Sequence, residues 1–545
     1  MSSASSLVSG LWAVLQDGVA RWGLPVVYAT LVVFLIVSLS SGVYQVFFSP
    51  LSKIPGPKLA AWTYLYEGYH EIWRGGKYFQ RVAEMHKQYG PIVRITPNEV
   101  HFADPEFLDE LYPTGGRKVN KPTWFALLTG TPYSIVSTVP HDLHRQRRNA
   151  MNSFFSTASI HRFEHIMKEH MSKLLARLNA SGRAGEVVRI HDVFKAAASD
   201  IITMYAFDNA FHFLDMPDYG ESYFEATHKF FLLTHVCLFV PWLYPLIQNS
   251  PDWVLRLLFP GLSPVRDRQN WWMDQVHAMR REPNSEESKQ TIFRGILTSK
   301  LPDQEKTDVR LASEAQLVVF AGEGTTAWGL NAALYELLAH PADFRRLKDE
   351  LLAHIPEKLR DSPGSDYVPS LSQVEGLPFL GAVIQEALRL HPGVLTRQMR
   401  VSPDEPVIYV DKTAAASGRR GKTYVVPPGT VTSMSPHITH RDEHAFENAA
   451  EFLPQRWIDN PKLAARYFHG FARGSRNCIG MTLAKREMAL VLSALIINYD
   501  IYKGQPGPTM ELYDTHRKRD VDAHSDYIIP LPAEGSQGVR IRFRA

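Results

Sequence analysis

The sequence has very little cysteine: only Cys237 and Cys478 in 545 residues. Two cysteines cannot form the disulfide framework of a secreted scaffold, so we expect the folded part to face a reducing compartment. Net charge is also small, because 59 Lys and Arg face 56 Asp and Glu. This balance gives no indication of a nucleic-acid partner. The 45% hydrophobic and 21% charged content is that of a globular protein.

Charge is absent from one long stretch, since no Asp, Glu, Lys or Arg occurs from Trp22 to Ser52. Crossing a bilayer takes about 20 mostly apolar residues. Residues 24–48 are therefore predicted to form a transmembrane anchor, and a buried core helix is the alternative. Lys53 and Lys58 follow directly, so the positive-inside rule places residues 1–23 in the lumen and the rest of the chain in the cytosol.

The anchor is followed by a hinge and one large domain. Pro55-Gly56-Pro57 cannot continue a helix, so residues 49–58 are interpreted as a stiff exit from the membrane. Residues 59–545 are predicted to be mainly helical with small β-sheets, an α+β class. The clearest helices are predicted over 313–340 and 378–391, because proline and capping residues bound them. Strands are predicted within three segments: 90–102, 422–433 and 538–543.

Cys478 lies in the segment FARGSRNCIG, residues 471–480. No second cysteine is near enough for a redox pair, and the segment lacks the spacing of a zinc site. The periodic apolar residues that follow place Cys478 at a helix start, where backbone N–H groups favour a thiolate. Gly474 and Gly480 allow close approach of a flat ligand, and Arg476 offers a planar fork for a carboxylate.

These five positions, Phe471, Gly474, Arg476, Cys478 and Gly480, resemble the haem-binding loop of cytochromes P-450. The resemblance implies the P-450 fold, with haem b (iron protoporphyrin IX) as the cofactor. It also implies that Cys478 is the axial ligand of the haem iron, that Arg476 meets a haem propionate and that Phe471 packs beneath the thiolate.

A second motif of the family is a buried charged triad. Glu386 and Arg389 are spaced i,i+3 on the helix predicted over 378–391, where such a pair is most often exposed. By resemblance, Arg456 of the segment FLPQRW completes the triad. We interpret these three residues as structural support for the haem loop.

The segment AGEGTT, residues 321–326, resembles the oxygen-binding groove of the family. The resemblance assigns Ala321 and Gly322 to the cofactor pocket and Thr325 to proton delivery during O₂ activation. The acid expected just before Thr325 is replaced by Gly324, and Glu323 lies one residue earlier. One residue is about 100° around a helix, so Glu323 is a catalytic candidate that faces another direction.

Other basic residues are candidates for the haem propionates. In HDLHRQRRNAMNSFF, residues 141–155, His144 and Arg148 take the places of the family's aromatic and basic residues, four positions apart on one helix face. Arg400 is a further propionate candidate, and Arg397 is its rival. The apolar segments 230–247 and 121–130 either line a pocket, contact a membrane surface or form plain core.

The resemblance implies a monooxygenase that inserts one oxygen atom from O₂ into a lipophilic small molecule. It implies electrons from NADPH through a separate cytochrome P-450 reductase, with cytochrome b5 as an optional second donor. The sequence layout is most similar to fungal enzymes of secondary metabolism, including terpenoid oxidation, anchored in the endoplasmic reticulum membrane. Two alternatives stay open: a haem-thiolate isomerase or dehydratase, and a membrane-anchored haem sensor.

Overall fold

The structure is a computed structural model that describes residues 25–281, 291–356, 366–412 and 421–544. The predicted lumenal segment 1–23 therefore lies outside the described residues. One described helix, α1, is long and apolar enough to cross a membrane, and it is almost entirely exposed. Its bounds, Pro25–Phe48, agree with the predicted span.

The helices of the first half follow the anchor and lead up to the centre of the molecule. They are α1 Pro25–Phe48, α2 Lys58–Trp62, α3 Leu65–Gly68, α4 Tyr78–Tyr89, α5 Leu108–Leu111, α6 Phe125–Thr129, α7 His141–Met151, α8 Thr157–Ala184, α9 Ile190–Phe207, α10 Glu221–Leu232, α11 Thr234–Phe239, α12 Leu243–Asn249, α13 Asp252–Leu258, α14 Ser263–Arg281 and α15 Ile292–Thr298.

The helices of the second half include the longest one of the folded domain. They are α16 Asp308–Ala339, α17 Pro341–His354, α18 Leu371–Val374, α19 Pro378–Leu390, α20 Pro436–Thr439, α21 Gln455–Asp459, α22 Lys462–Tyr467 and α23 Met481–Asn498. Both helices predicted from capping signals are confirmed. The central helix α16 begins five residues before the predicted start, after Thr307, and α19 begins at Pro378 as expected.

The strands form small sheets, as predicted. They are β1 Ile92–Thr96, β2 Glu99–Phe102, β3 Val187–Arg189, β4 Arg400–Val401, β5 Val407–Val410, β6 Thr423–Val426, β7 Val431–Ser433, β8 Asp500–Ile501, β9 Thr509–Leu512, β10 Ser525–Tyr527, β11 Ile529–Leu531 and β12 Arg540–Arg544. Two sheets have four strands, in the orders β1-β2-β7-β4 and β3-β12-β9-β8, and β5-β6 and β10-β11 are hairpins. Within the first sheet β2 pairs parallel to β7, with Val100 opposite Thr432.

The main hydrophobic core surrounds α16. This helix packs against α9, α14, α19 and α23 and is buried on almost every side. A helix that is buried on almost every side has little solvent face, so the accessible positions at its centre are informative. Between Val318 and Leu338 they are Ala321, Gly322 and Thr325, within the segment that the sequence identified as a ligand groove.

Candidate active site

The Cys478 loop is held by its own backbone and by a neighbouring segment. The Cys478 N–H donates to the Phe471 carbonyl at 2.8 Å, and the Ser475 N–H donates to the Pro113 carbonyl at 3.1 Å. Gly474 has a positive φ of 72°, and a Cβ there would lie 2.5 Å from the Tyr112 carbonyl oxygen. Glycine is therefore required at 474 for the loop to pack closely on Tyr112 and Pro113.

The side chain of Cys478 faces an interior space. It retains accessible surface, yet protein surrounds it closely enough for burial to raise the pKa of its thiol. The N–H groups of Gly480 and Met481 and the charge of Arg148 act in the opposite direction. The N–H groups at the helix start thus lower the pKa of the Cys478 thiol, as expected, but burial raises it by more. A metal ion that binds the sulfur would remove the proton outright.

The groove on α16 is lined by small groups. Ala321 and Thr325 are four residues apart and so lie on one face of the helix. The Thr325 hydroxyl donates to the Ala321 carbonyl at 2.7 Å. A Cβ at Gly393 would lie 3.2 Å from the Thr325 Cβ, so the segment after α19 closes against this threonine.

Glu323 is turned away from that face. Its carboxylate accepts a hydrogen bond from Ser199 Oγ of α9 at 2.9 Å and one from the Tyr223 hydroxyl of α10 at 3.5 Å. Burial raises the pKa of Glu323 to about 7, although Ser199 and the charges of Lys195 and Arg268 lower it. The role of Glu323 as a catalytic acid stays a prediction, and the structure places its carboxylate between α9 and α10.

Several basic groups converge beside the Cys478 loop. Arg476 is buried and donates to the carbonyls of Thr138 at 2.6 Å and Val139 at 2.7 Å. Burial and then the charge of Arg400 lower the pKa of Arg476 to about 9. For His144, burial and then the charges of Arg476 and the neighbouring bases lower the pKa far below its usual value.

Lys121 is a member of this cluster that the sequence did not reveal. Burial, followed by the charges of Arg400 and Arg476, lowers the pKa of Lys121 well below its usual value. Its ammonium donates to the Val136 carbonyl at 2.7 Å and lies over the Phe125 ring. The only signal in the sequence was a single lysine at the head of the apolar segment 121–130.

The cluster fits a ligand that carries two carboxylates. Among the described residues, no Asp or Glu forms an ion pair with the basic groups of Lys121, Arg148, Arg400 or Arg476. Buried like charges are costly unless an anion pairs with them. A haem brings two propionates, so these residues match the group implied by the Cys478 loop.

The structure separates the two rival arginines. Arg397 donates to Glu99 at 3.0 Å and to Glu67, and it lies 4.0 Å from Glu71. Its charge is thus already neutralised by carboxylates of the protein. Arg400 instead faces Tyr112 and the cluster around Arg476. Arg397 thus has carboxylate partners within the protein, whereas Arg400 has none among the described residues, and the propionate role of Arg400 stays a prediction.

Arg148 contacts the Cys478 loop itself, and its role as a propionate residue stays a prediction. Its guanidinium donates to the Asn477 carbonyl at 2.5 Å and to Asn477 Oδ1 at 2.7 Å. It is also close enough to Cys478 for the two groups to influence each other's pKa. Arg148 therefore ties helix α7 to the loop directly before the thiol.

The predicted triad is assembled and buried. Arg389 donates two hydrogen bonds of 2.8 Å to the two oxygens of Glu386, and Arg456 donates to Glu386 Oε1 at 3.1 Å. The Trp457 indole N–H and the Leu453 N–H also donate to this carboxylate, at 2.9 Å each. Every partner that a buried carboxylate needs is present.

His440 connects the triad to the Cys478 loop, a link that the sequence motifs did not indicate. Its Nδ1 lies 3.2 Å from the Arg389 carbonyl, and its Nε2 accepts the His469 N–H at 3.0 Å. Its ring stacks on Phe468, which in turn contacts Phe471 at the start of the loop. Triad and loop therefore share one buried scaffold.

The Cys478 loop, the small-residue groove on α16 and the basic cluster are features that a haem-thiolate protein would need. Residues 55–515 match the family model described as Cytochrome P450. The chain therefore belongs to the cytochrome P450 family, and it is a haem monooxygenase with the mainly helical fold predicted from its sequence.

Curated relatives agree along almost the whole chain. A "Cytochrome P450 monooxygenase tpcC" of Cochliobolus heterostrophus is 36% identical over 539 residues, covering 97% of this chain and 99% of the relative. A "Cytochrome P450 monooxygenase astB" of Talaromyces wortmannii is 35% identical, with 96% and 99% covered. A "Tryptophan 6-hydroxylase fscE" of Fusarium equiseti is 34% identical, with 95% and 97% covered.

Proposed function

We propose that this monooxygenase hydroxylates or epoxidises a lipophilic small molecule, a terpenoid or another fungal secondary metabolite. The observation that carries this proposal is an apolar wall beside the groove at Ala321. Phe230 and Phe231 contact Phe320, the residue directly before Ala321 on the central helix. A pocket behind them is lined mainly by apolar side chains, including Leu127, Leu233 and Ile247.

An amino-acid substrate fits this wall less well. From Phe230 to Pro251 the sequence contains no Asp, Glu, Lys or Arg. A zwitterion that is removed from water needs charged or strongly polar partners. This segment has no Asp, Glu, Lys or Arg that could be the charged partner. One relative is named for tryptophan and others carry no substrate in their names. Sequence identity of 34–36% to these relatives therefore does not identify the substrate, and the proposal depends on the side chains that line the pocket.

The cofactor of this proposal is haem b. Cys478 would ligate its iron, and Lys121, His144, Arg400 and Arg476 would hold its propionates. The bound haem supplies the activation of O₂ and the transfer of oxygen to carbon. The chain itself positions the cofactor, excludes water with the apolar wall and holds a hydroxyl proton at Thr325 Oγ1.

Electrons are proposed to come from NADPH through a separate reductase, with cytochrome b5 as an optional second donor. Of the basic groups around the Cys478 loop, Arg145 on α7 is exposed. Arg473 is engaged by Asp109 at 2.9 Å, and Lys485 donates to Gln385 at 2.8 Å. We expect Arg145→Glu to lower reductase-supported turnover at low salt and to weaken its salt dependence.

We further propose a single-pass anchor in the endoplasmic reticulum membrane, with a cytosolic catalytic domain. Large apolar side chains near α1 are exposed on the surface of the domain. They occur on the segment around α3 and on α12 and α13, and they include Leu65, Trp73, Trp242, Trp253 and Leu257. Gly68 lies close to Phe239, so the two surfaces adjoin. We call these exposed apolar side chains the apolar belt. Because the belt continues from the membrane anchor, we expect both to contact the same bilayer.

The carbon-monoxide difference spectrum of reduced membranes tests the haem-thiolate assignment. We expect a strongly red-shifted Soret band, which Cys478→Ala abolishes. The same band in the alanine variant would contradict the ligand assignment. Product formation without reductase would favour the isomerase or dehydratase alternative, and a haem that never consumes NADPH would favour the sensor.

Thr325→Ala tests the proton-delivery role. The variant should keep its haem, yet divert most reducing equivalents to free hydrogen peroxide, since general acid–base contributions commonly exceed about 100-fold. Thr325→Ser keeps the hydroxyl and should remain coupled. Peroxide release and NADPH consumption are measured together. Equal coupling in the alanine variant and the wild type would remove Thr325 from this role.

A further inference from the structure

A buried histidine is one of the residues that attach the uncharged segment Phe230–Pro251 to the rest of the protein; Tyr244, which donates to the Gly130 carbonyl, is another. His235 lies on α11 and is buried. Its Nε2 lies 2.6 Å from the carbonyl oxygen of Asp526, so the proton of the ring is on Nε2. Within the described part of the chain, His235 Nδ1 has no hydrogen-bond partner. The histidine therefore makes a single directed contact, from the apolar segment to the hairpin β10-β11.

The backbone carbonyl of Asp526 is available to accept the hydrogen bond from His235. Its partner across the hairpin is Pro530, which has no N–H to donate. The Asp526 N–H donates outward to the Gly76 carbonyl at 2.9 Å. A Cβ at Gly76 would lie 2.6 Å from the Asp526 carbonyl oxygen, so glycine is needed for this approach. Both backbone groups of Asp526 thus bond to elements outside the hairpin.

The side chain of Asp526 holds the tip of the hairpin. Its Oδ1 accepts the Thr396 hydroxyl at 2.8 Å and the Ile528 N–H at 2.9 Å. Ile528 has a φ of +72°. A β-branched residue in the left-handed region is strained by about 1–3 kcal/mol, and surrounding contacts must maintain it. Asp526 supplies those contacts.

The tip reaches the oxygen groove. Ile529 Cδ1 lies 2.7 Å from the position that a Cβ would take at Gly324. Gly324 stands directly before Thr325, at the place where the family carries an acid. The missing side chain at 324 therefore makes room for Ile529.

We propose that His235 is a positioning residue that couples the apolar segment Phe230–Pro251 to the hairpin tip Tyr527–Ile529 and thereby fixes the wall above the oxygen groove. Movement of the segment is then transmitted through Asp526 to Ile529, which borders Gly324, the residue directly before Thr325. The link to substrate selection rests on the proposed function, whereas the coupling itself is a property of the fold.

Glu71 is a second polar neighbour of His235, but it lies farther away than the Asp526 carbonyl. Glu71 Oε2 lies 3.6 Å from His235 Nε2, and within the described residues this oxygen has no hydrogen-bond partner. Burial and then the charge of Asp526 raise the pKa of Glu71 well above its usual value, although Arg397 lowers it. Burial thus disfavours a charged Glu71 carboxylate beside His235.

Amide hydrogen exchange of the full-length, haem-loaded protein tests the coupling without any turnover. In His235→Ala we expect the amides of Asp526 and Ile528 to exchange about tenfold faster, because one buried hydrogen bond is lost. His235→Gln places an amide N–H near the position of Nε2 and should restore exchange to within about twofold. Glu71→Gln should resemble the wild type. The dissociation rate of 4-phenylimidazole, followed by the Soret shift, should rise in His235→Ala alone.

His228→Ala is the matched control, since His228 is an exposed histidine on the preceding helix α10. It should change neither exchange nor dissociation. Unchanged exchange at Asp526 and Ile528 in His235→Ala would overturn the proposal. An effect of Glu71→Gln as large as that of His235→Ala would mean that His235 acts through Glu71, and would overturn the coupling through Asp526. Loss of the thiolate spectrum in the wild type would instead refute the proposed function and leave the exchange result intact.

Discussion

At the scale of single residues, the site is defined by basic groups that form no ion pair with a carboxylate among the described residues. Lys121, Arg400 and Arg476 are buried next to one another, and each lowers the pKa of a neighbour. Such a cluster weakens the apoprotein and strengthens binding of a dianionic cofactor. Stability of the empty protein and affinity for haem are thus opposed at these positions.

Lys121→Met separates these two effects. The methionine keeps the apolar stem but removes the charge, so we expect the urea midpoint of the apoprotein to rise by an amount worth about 1–2 kcal/mol. Haem transfer to apomyoglobin should become faster, because one propionate loses its ion pair. Lys121→Arg keeps the charge and should transfer haem slowly. A methionine variant that retains haem as well as the wild type would exclude Lys121 from propionate binding.

Glu323 gives the protein a pH dependence of stability. Its pKa of about 7 lies above that of an unfolded glutamate. The folded state therefore holds a proton that the unfolded state has already released, and stability falls as pH rises from about 4.5 through 7. The loss is roughly 3 kcal/mol for a shift of this size. Glu323→Gln cannot ionise, so its unfolding free energy should not share this fall.

Denaturant unfolding at pH 5, 6, 7 and 8 measures this difference. The stability of Glu323→Gln relative to the wild type should rise steadily across the series and level off above pH 7. Ser199→Ala is the control, because it removes a hydrogen-bond donor but leaves the carboxyl group able to ionise. A constant difference between the glutamine variant and the wild type would contradict the raised pKa.

At the scale of elements, the sequence predicted the helices that carry the motifs but not every contact between them. Proline and capping signals placed α16 and α19 closely, because such signals act locally. The choice between Arg397 and Arg400 could not be made this way. The two are three residues apart, and only Glu67, Glu71 and Glu99, distant in sequence, distinguish them. The contacts of His440 with Arg389 and His469 could not be predicted for the same reason, because these residues are distant in sequence.

The Glu386–Arg389 pair on α19 shows how strongly burial changes the stability contributed by an i,i+3 ion pair. Glu386→Gln leaves Arg389 and Arg456 buried without their carboxylate, so we expect a loss of about 3–5 kcal/mol in stability. The red-shifted Soret band should be lost with it, because His440 transmits the distortion to the loop. Glu84→Gln is the matched control: Arg81–Glu84 has the same i,i+3 spacing at 2.8 Å but is exposed. It should cost less than about 0.5 kcal/mol. Similar losses in both variants would contradict a special role for the triad.

At the scale of the whole molecule, the segment 49–58, predicted as a hinge, is not the only connection between α1 and the domain. Buried Arg94 of β1 donates to the Gln45 carbonyl at 2.7 Å and to Gln45 Oε1 at 2.6 Å, reaching back across the hinge to the end of α1. Gly42 lies against Trp62, and a Cβ at Gly42 would overlap the indole. The helix α1 and the domain are thus packed together, and in the proposed membrane-bound state this packing would set the angle at which the apolar belt meets the bilayer.

Gly42→Leu tests that packing. The leucine cannot fit against Trp62, so α1 must tilt and the belt should withdraw from the lipid. We expect brominated lipids to quench less of the tryptophan emission than in the wild type, because Trp73, Trp242 and Trp253 belong to the belt. Ser41→Leu is the control, since Ser41 is exposed on the same helix turn. Unchanged quenching in Gly42→Leu would mean that the domain finds its orientation on the membrane independently of the anchor.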